Sequence, residues 1–266
     1  MKIAFIGGGN MGEAMLSAVL NKKLSSPDSI TVGEVDDSRR QYLKQKYGVA
    51  VVSDNLAAID KKEVIVLAIK PQTLPTTMPV LSGKLKPEQL VLSIIAGARI
   101  STLRNGLKHG CIVRSMPNTP AQIGLGMTVW TATAEVNSRQ KEGAAAILSA
   151  MGEQIFVDDE KYLDMATAVS GSGPAYFFLF VESLVEAGVN IGLSRDVATK
   201  LVLQTMLGSA ELIRKSGKTP AELRIMVTSP GGTTAEAIAR FEKGGFSQLV
   251  SEAVLSAYNK AKTLGN

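Results

Sequence analysis

The sequence predicts an α/β fold: a doubly wound sheet in its N-terminal part, followed by an all-helical C-terminal part. Three observations predict it. From Lys2 to about Val157, short apolar runs alternate with helical stretches. A glycine-rich turn, Gly7-x-Gly9-x-x-Gly12, stands between the first apolar run and the first helical stretch. After Asp158, strand-length runs stop and only helical periodicity is left. Such alternation marks a mostly parallel sheet with helices on both faces, of Rossmann type when a glycine-rich turn closes its first strand. The expected domains are a dinucleotide-binding domain over 1–158 and a helical domain over 159–266, for substrate binding and oligomerisation.

The strand candidates are Ile3–Ile6, Ile30–Gly33, Val49–Val52, Val64–Ala68, Leu90–Ser93, Ile112–Ser115, Met127–Thr131 and Gln154–Val157, each rich in aliphatic residues and bounded by turn formers. Helical stretches fall between most of them, at Met11–Lys22, Asp37–Tyr47, Thr73–Leu81, Ser101–Leu107 and Asn137–Met151. The C-terminal helices are predicted at Pro174–Gly188, Arg195–Ser216, Pro220–Val227, Ala235–Lys243 and Ser247–Leu264. Thr219-Pro220-Ala221-Glu222 is a capping box with proline at the first helical position. SGSGPAYFF, Ser170 to Phe178, reads as a glycine-rich turn with Pro174 opening the next helix. The segments AYFFLFVESLV and ATKLVLQTMLGSA are apolar nearly all round, so a second subunit is expected to cover them.

Composition narrows the function. The chain is 45% hydrophobic, which supports a well-buried core. Its basic residues exceed its acidic ones by five but are scattered, which suits small anionic ligands and not a nucleic-acid groove. The single cysteine, Cys111, excludes an internal disulfide and offers no metal cluster. The only histidine, His109, lies in KHGC before a strand and reads as a polar loop residue, so no Ser-His-Asp triad is expected. No apolar run approaches the roughly eighteen residues of a membrane span, and the first residues lead straight into a strand, so the expected compartment is the cytoplasm.

Two helix starts can hold anions, because the first backbone N–H groups of a helix lack intrahelical partners and the helix dipole is positive there. At the first, Gly7, Gly9, Asn10, Met11 and Gly12 are expected to cradle a dinucleotide pyrophosphate. Glu34 directly follows the second strand, and its carboxylate suits a free ribose 2′-OH, while Arg39 and Arg40 behind it suit a 2′-phosphate; NADH and NADPH both stay open. Ala68, Lys70, Pro71 and Gln72 follow the fourth strand at the ligand edge of the sheet, and Asn118 and Thr119 follow the sixth between two prolines. The second start is SPGGTTAEA. There Ser229, Gly231, Gly232, Thr233 and Thr234 can receive a small carboxylate, Thr233-x-x-Glu236 reads as a capping box, and Thr234 keeps a free hydroxyl.

IGGGNMG, AIKPQ, VRSMPNTPA, SGSGPAY and SPGGTTAEA, in this order, resemble the Δ1-pyrroline-5-carboxylate reductases along residues 1 to about 262. The resemblance implies an NAD(P)H-dependent reductase of a cyclic imine, pyrroline-5-carboxylate, giving L-proline. It implies a helical domain that interlocks in a homodimer, with a decamer of five dimers as a larger form. It implies that the loop Ser229–Thr234 holds the substrate carboxylate and that Thr234 partners the ring nitrogen. Glu34 departs from the small polar residue that many members carry there. β-Hydroxyacid dehydrogenases share the build but use a lysine in the first helix of the second domain, and no lysine stands between Pro174 and Gly188. A reductase of another cyclic imine and a nucleotide sensor are the other readings.

Overall fold

Aliphatic runs buried along their whole length need helices on both faces. Four runs meet that condition: β1 (Ile3–Ile6), β2 (Ile30–Gly33), β4 (Val64–Leu67) and β5 (Leu90–Ser93). With β3 (Ala50–Val52), β6 (Ile112–Met116), β7 (Gly126–Ala132) and β8 (Gly152–Phe156), they form one sheet in a computed structural model that describes residues 1–264. The strand order is β3-β2-β1-β4-β5-β6-β7-β8, and β1 to β6 are parallel. The pleat divides the core: Ile3 and Phe5 join one apolar cluster while Ala4 and Ile6 join the other.

The cluster on the first face is closed by α1 (Asn10–Asn21), α2 (Asp37–Tyr47) and α6 (Ser138–Ser149), through Met15, Val19, Leu43 and Ile147. The other face is closed by α3 (Asn55–Ile59), α4 (Leu74–Leu81) and α5 (Ile100–Leu107), through Ile59, Leu81, Leu103 and Leu107. The sequence reading missed α3, a helix too short to show periodicity; Asp54 caps it by accepting from Leu56 N at 2.9 Å. β7 pairs antiparallel to β6, because their link is only a 3-10 turn, Thr119–Ile123, where a parallel return needs a crossover of about a dozen residues. His109 is a loop residue as expected but a buried one, its Nε2 lying 2.7 Å from the Gln89 carbonyl.

The SGSGPAY segment is not a turn. α7 (Lys161–Ala166), a π-helical turn over Thr167–Gly171 and α8 (Gly173–Asn190) run on as one helix, Lys161–Asn190. The glycines imitate a break, but the wider π turn absorbs them, with Ser172 N bonding the Thr167 carbonyl at 2.8 Å. By length and composition this helix could cross a membrane, which corrects the expectation that no such stretch exists.

The chain divides into two units. One holds Met1–Pro174 and the chain from Ser256 onward, so position 158/159 falls inside it; the other is Ala175–Leu255. The second unit contains most of α8, then α9 (Arg195–Ser216), α10 (Pro220–Met226), α11 (Thr233–Lys243) and the start of α12 (Phe246–Leu264). The capping box at Thr219 and Glu222 is present as predicted. Among the described residues, Val185, Ala198 and Val202 form the buried core there, while Phe178 is 63% and Leu179 64% exposed. So thin a core beside so much bare apolar surface marks an interaction face.

Candidate active site

The site begins with what each glycine of the first turn has around it. A Cβ on Gly7, whose φ is +100°, would lie 2.6 Å from the Ala68 carbonyl oxygen, and one on Gly12 would lie 2.3 Å from the Gly7 carbonyl oxygen. Gly9 differs: a Cβ there would meet nothing within 4 Å. Gly7 and Gly12 are therefore required by the chain's own packing, whereas Gly9 keeps an open face toward the cleft. That is a cradle for a ligand that must touch backbone, which is what a dinucleotide pyrophosphate asks for.

The cleft has a volume of about 740 Å³. Gly9, Asn10, Met11, Glu34, Ala68, Lys70, Pro71, Asn118 and Thr119 all line it, so the separate stretches of the sequence meet there. Lys70 is exposed at the rim after β4. Gln72 is not among the lining residues.

Glu34 is held by backbone donors: its Oε2 accepts from Gly8 N at 2.8 Å and its Oε1 from Asp36 N at 3.0 Å. The two arginines behind it are engaged as well. Arg39 donates from Nε to the Gly8 carbonyl at 2.7 Å and pairs with the Glu13 carboxylate. Arg40 donates to the Glu34 and Val35 carbonyls, each at 2.8 Å, and to Asp37 at 2.8 Å. Glu13 was overlooked in the sequence, because a carboxylate in the first turn of α1 reads as an ordinary partner of the helix dipole. It also accepts from Lys46 Nζ at 2.9 Å, Tyr42 Oη at 3.0 Å and Tyr47 Oη at 2.7 Å.

Burial raises the Glu13 pKa, but donation by Lys46, Tyr47, Arg39 and Tyr42 outweighs it and brings the group from 4.5 down to about 2. A depressed carboxylate pKa contributes stability that is fully present above the unfolded value and lost as pH falls through the folded one. Glu13→Gln is therefore expected to lower the Tm at pH 7 and to flatten the fall in Tm between pH 4.5 and pH 2. Thermal melts of both proteins across that range test it, and parallel curves would remove Glu13 from the acid response.

On the far wall, Pro174 has no N–H to give the Ser170 carbonyl four residues before it. Asn118 supplies the missing donor, its Nδ2 bonding Ser170 O at 3.0 Å while its Oδ1 accepts from Met127 N at 2.8 Å. Each end of that amide thus makes one bond to the protein, tying the loop after β6 to the π turn. Gly171 on that turn lines the cleft, and a Cβ there would crowd Met116 at 3.0 Å. Arg114, 4% exposed, holds the same wall from β6: it bonds Glu160 at 2.6 Å and Asp164 at 3.1 Å. Sequence reasoning passed over Gly171 and Arg114, although VRSMPNTPA contains the arginine.

In the helical unit, Gly231 has φ +71° and Gly232 N bonds the Ser229 carbonyl at 3.0 Å, so Ser229–Gly232 is a tight turn into α11. Gly232, not Thr233, is the N-cap, and no side chain caps the helix; the capping box expected at Thr233 and Glu236 is absent. The chain turns helical one residue later than Gly232, which leaves Thr233 in the first helical position and Thr234 in the second. The leading N–H groups of α11 point out of this turn without intrahelical partners.

Comparison with known proteins decides the family. The chain is 44% identical over 265 residues to the pyrroline-5-carboxylate reductase of Synechocystis, covering 100% of this chain and 98% of the relative. The chain belongs to the pyrroline-5-carboxylate reductase family. The reductase of Pseudomonas aeruginosa is 40% identical over 99% of the chain and 96% of its own length. A family model described as pyrroline-5-carboxylate reductase dimerisation matches residues 160–264, and one described as NADP oxidoreductase, coenzyme F420-dependent, matches residues 2–97. Among solved structures, the Coxiella burnetii reductase superposes with a TM-score of 0.89 at 35% identity, covering 100% of this chain and 98% of that one. The Plasmodium falciparum reductase, solved with NADP bound, gives 0.90 at 33%, with the same coverage. This family's chains are oxidoreductases with a nicotinamide-binding sheet and a dimer-forming helical part, as the sequence resemblance implied.

Proposed function

We propose that this chain reduces 1-pyrroline-5-carboxylate to L-proline with NADH or NADPH, the last step of proline biosynthesis. Carrying the reading is the full-length identity to reductases of that name, which spans both glycine-rich helix starts. Residues 159–266 serve as the substrate-binding and dimerisation part. A reduced nicotinamide held in the cleft would supply a hydride, and addition of that hydride to the carbon of a C=N bond already protonated on nitrogen gives the neutral secondary amine.

The chain's own residues bind and orient. Gly7, Gly9 and Gly12 admit the pyrophosphate to the start of α1, with Asn10, Met11, Ala68, Lys70, Pro71 and Asn118 lining its cleft. The substrate carboxylate sits on the N–H groups that open α11, beside Ser229, Gly231, Gly232 and Thr233, an arrangement worth about 0.3–2 kcal/mol from the dipole. Thr234 hydrogen-bonds the ring nitrogen and fixes its orientation. An alcohol is no strong acid near neutrality, and a protonated imine needs none. Well-oriented reactants can gain about 7–11 kcal/mol from positioning alone.

Thr234→Ala is expected to lower kcat about tenfold, the loss of one hydrogen bond of about 1.4 kcal/mol, with the KM for the nicotinamide unchanged. Steady-state kinetics with both substrates varied measures it. Wild-type kcat in that variant would take Thr234 out of the mechanism.

The bare apolar surface of α8 and α9 is covered by a second copy in a homodimer, and a decamer of five dimers is the larger form that the family resemblance implies. Light scattering at micromolar concentration that returned the 28.1 kDa monomer would refute this assembly. One buried free thiol and no second cysteine fit a reducing compartment, the cytoplasm.

A further inference from the structure

We propose that the adenosine end of the cleft is built for a free ribose diol, so that this chain takes NADH in preference to NADPH. The inference rests on the reductase reading above and assigns its cofactor. Glu34 carries it first. A carboxylate offers about four acceptor positions. The bonds from Gly8 N and Asp36 N use one on each oxygen, at 2.8 and 3.0 Å, and so lock the side chain at the end of β2. One acceptor position remains on each oxygen, which is what two adjacent hydroxyls require.

A phosphate on the ribose would bring roughly 1.5 to 2 negative charges into the same place. It would face two carboxylates, since Asp36 lines the cleft beside Glu34. Of the two cations near them, Arg39 also lines this end and Arg40 lies behind it, and each already holds a carboxylate of its own. Arg39 is paired with Glu13 and braces the Gly8 carbonyl, and Arg40 is paired with Asp37 and bonded to two backbone carbonyls. The Arg39 charge is thus already matched by Glu13, and its Nε is held on the Gly8 carbonyl, so it attracts a phosphate less than an unpaired arginine would. Lys70 follows β4, on the other side of β1 from β2, and so belongs to the opposite end of the cleft. Ser38, the remaining neutral donor lining this end, gives its hydroxyl proton to Asp36 at 2.6 Å.

The test is isothermal titration of the intact protein with NADH and with NADPH, without imine, at low and high salt. The wild type is expected to bind NADH at least about tenfold more tightly, with a ratio that shrinks as salt screens the repulsion. Glu34→Ser and the shape-conserving Glu34→Gln should each shift the ratio toward NADPH by about tenfold or more. Equal or tighter NADPH binding by the wild type overturns the inference, as does an unchanged ratio in both variants. If NADPH binds more tightly and the imine is still reduced, the reductase reading stands and only this assignment falls. If folded protein binds neither nucleotide, both fall.

Discussion

Arg114→Met should cost the fold about 3 kcal/mol, a fall in Tm of roughly 6–12 °C for a unit of this size. The guanidinium, its side chain 5% exposed, sits between Glu160 and Asp164, whose side chains are 30% and 14% exposed. Removing it leaves two partly buried carboxylates without the cation that both of them bond. Methionine fills similar volume, so the loss reports charge and not a cavity. An exposed pair serves as the control: Lys161 and Asp159 are 59% and 50% exposed, and Lys161→Ala should change stability by less than about 1 kcal/mol. The consequence extends to function because Glu160 also accepts from Ile100 N at 2.8 Å, fixing α7 against the start of α5. α7 leads directly into the π turn that brings Gly171 to the cleft. Nicotinamide affinity should therefore fall with stability in Arg114→Met. A Tm within 2 °C of wild type, by calorimetry at equal protein concentration, would mean the ion triad is dispensable.

How legible the molecule is in its sequence depends on how local each determinant is. The strands of the sheet's centre are legible because burial on both faces writes itself as an unbroken aliphatic run, as in IAFI and VIVL. The cap at Thr219 depends on four neighbouring residues and is read directly, whereas Asn137, expected as the first residue of its helix, is its cap and accepts from Gln140 N at 3.0 Å. The direction of β7 is not local: its run looks like the others, and only the short link from β6 dictates the reversal. The continuous helix through SGSGPAY is hidden for another reason. Glycine and proline normally punctuate helices, and here a π turn and a side chain from fifty-two residues away in the sequence, Asn118, accommodate them. In the candidate site, the glycine spacing and Glu34 stand out, because type and position alone mark them. The state of Glu34, Arg39 and Arg40 does not, since it depends on which backbone groups the folded turn presents. Thr233 shows the limit of a motif: the pattern of a capping box is present, but the backbone places its cap one residue earlier.

Gly12→Ala and Gly9→Ala should separate packing from ligand contact within a single turn. At Gly12 the added Cβ falls 2.3 Å from the Gly7 carbonyl oxygen and 3.3 Å from the Ala68 Cβ, so backbone must move. Overpacking of that kind costs about 1–3 kcal/mol. The displaced groups are the start of α1 and the turn itself, so nicotinamide binding should fall by at least about a hundredfold, roughly 2.7 kcal/mol. At Gly9 the backbone, φ −67° and ψ −174°, is open to any residue, and no atom beyond the adjoining residues lies within 4 Å of the new methyl. Its helix-cap position limits the stability loss to about 1 kcal/mol. The methyl instead occupies space at the cleft, and a pyrophosphate resting on that backbone has to withdraw from it. Gly9→Ala should therefore keep a near-wild-type Tm while losing at least about tenfold in affinity, and Gly12→Ala should lose both. Calorimetry paired with nucleotide titration reads the two quantities independently. A Gly9→Ala protein that binds as tightly as wild type would show that the ligand does not approach this turn, whatever the effect at Gly12.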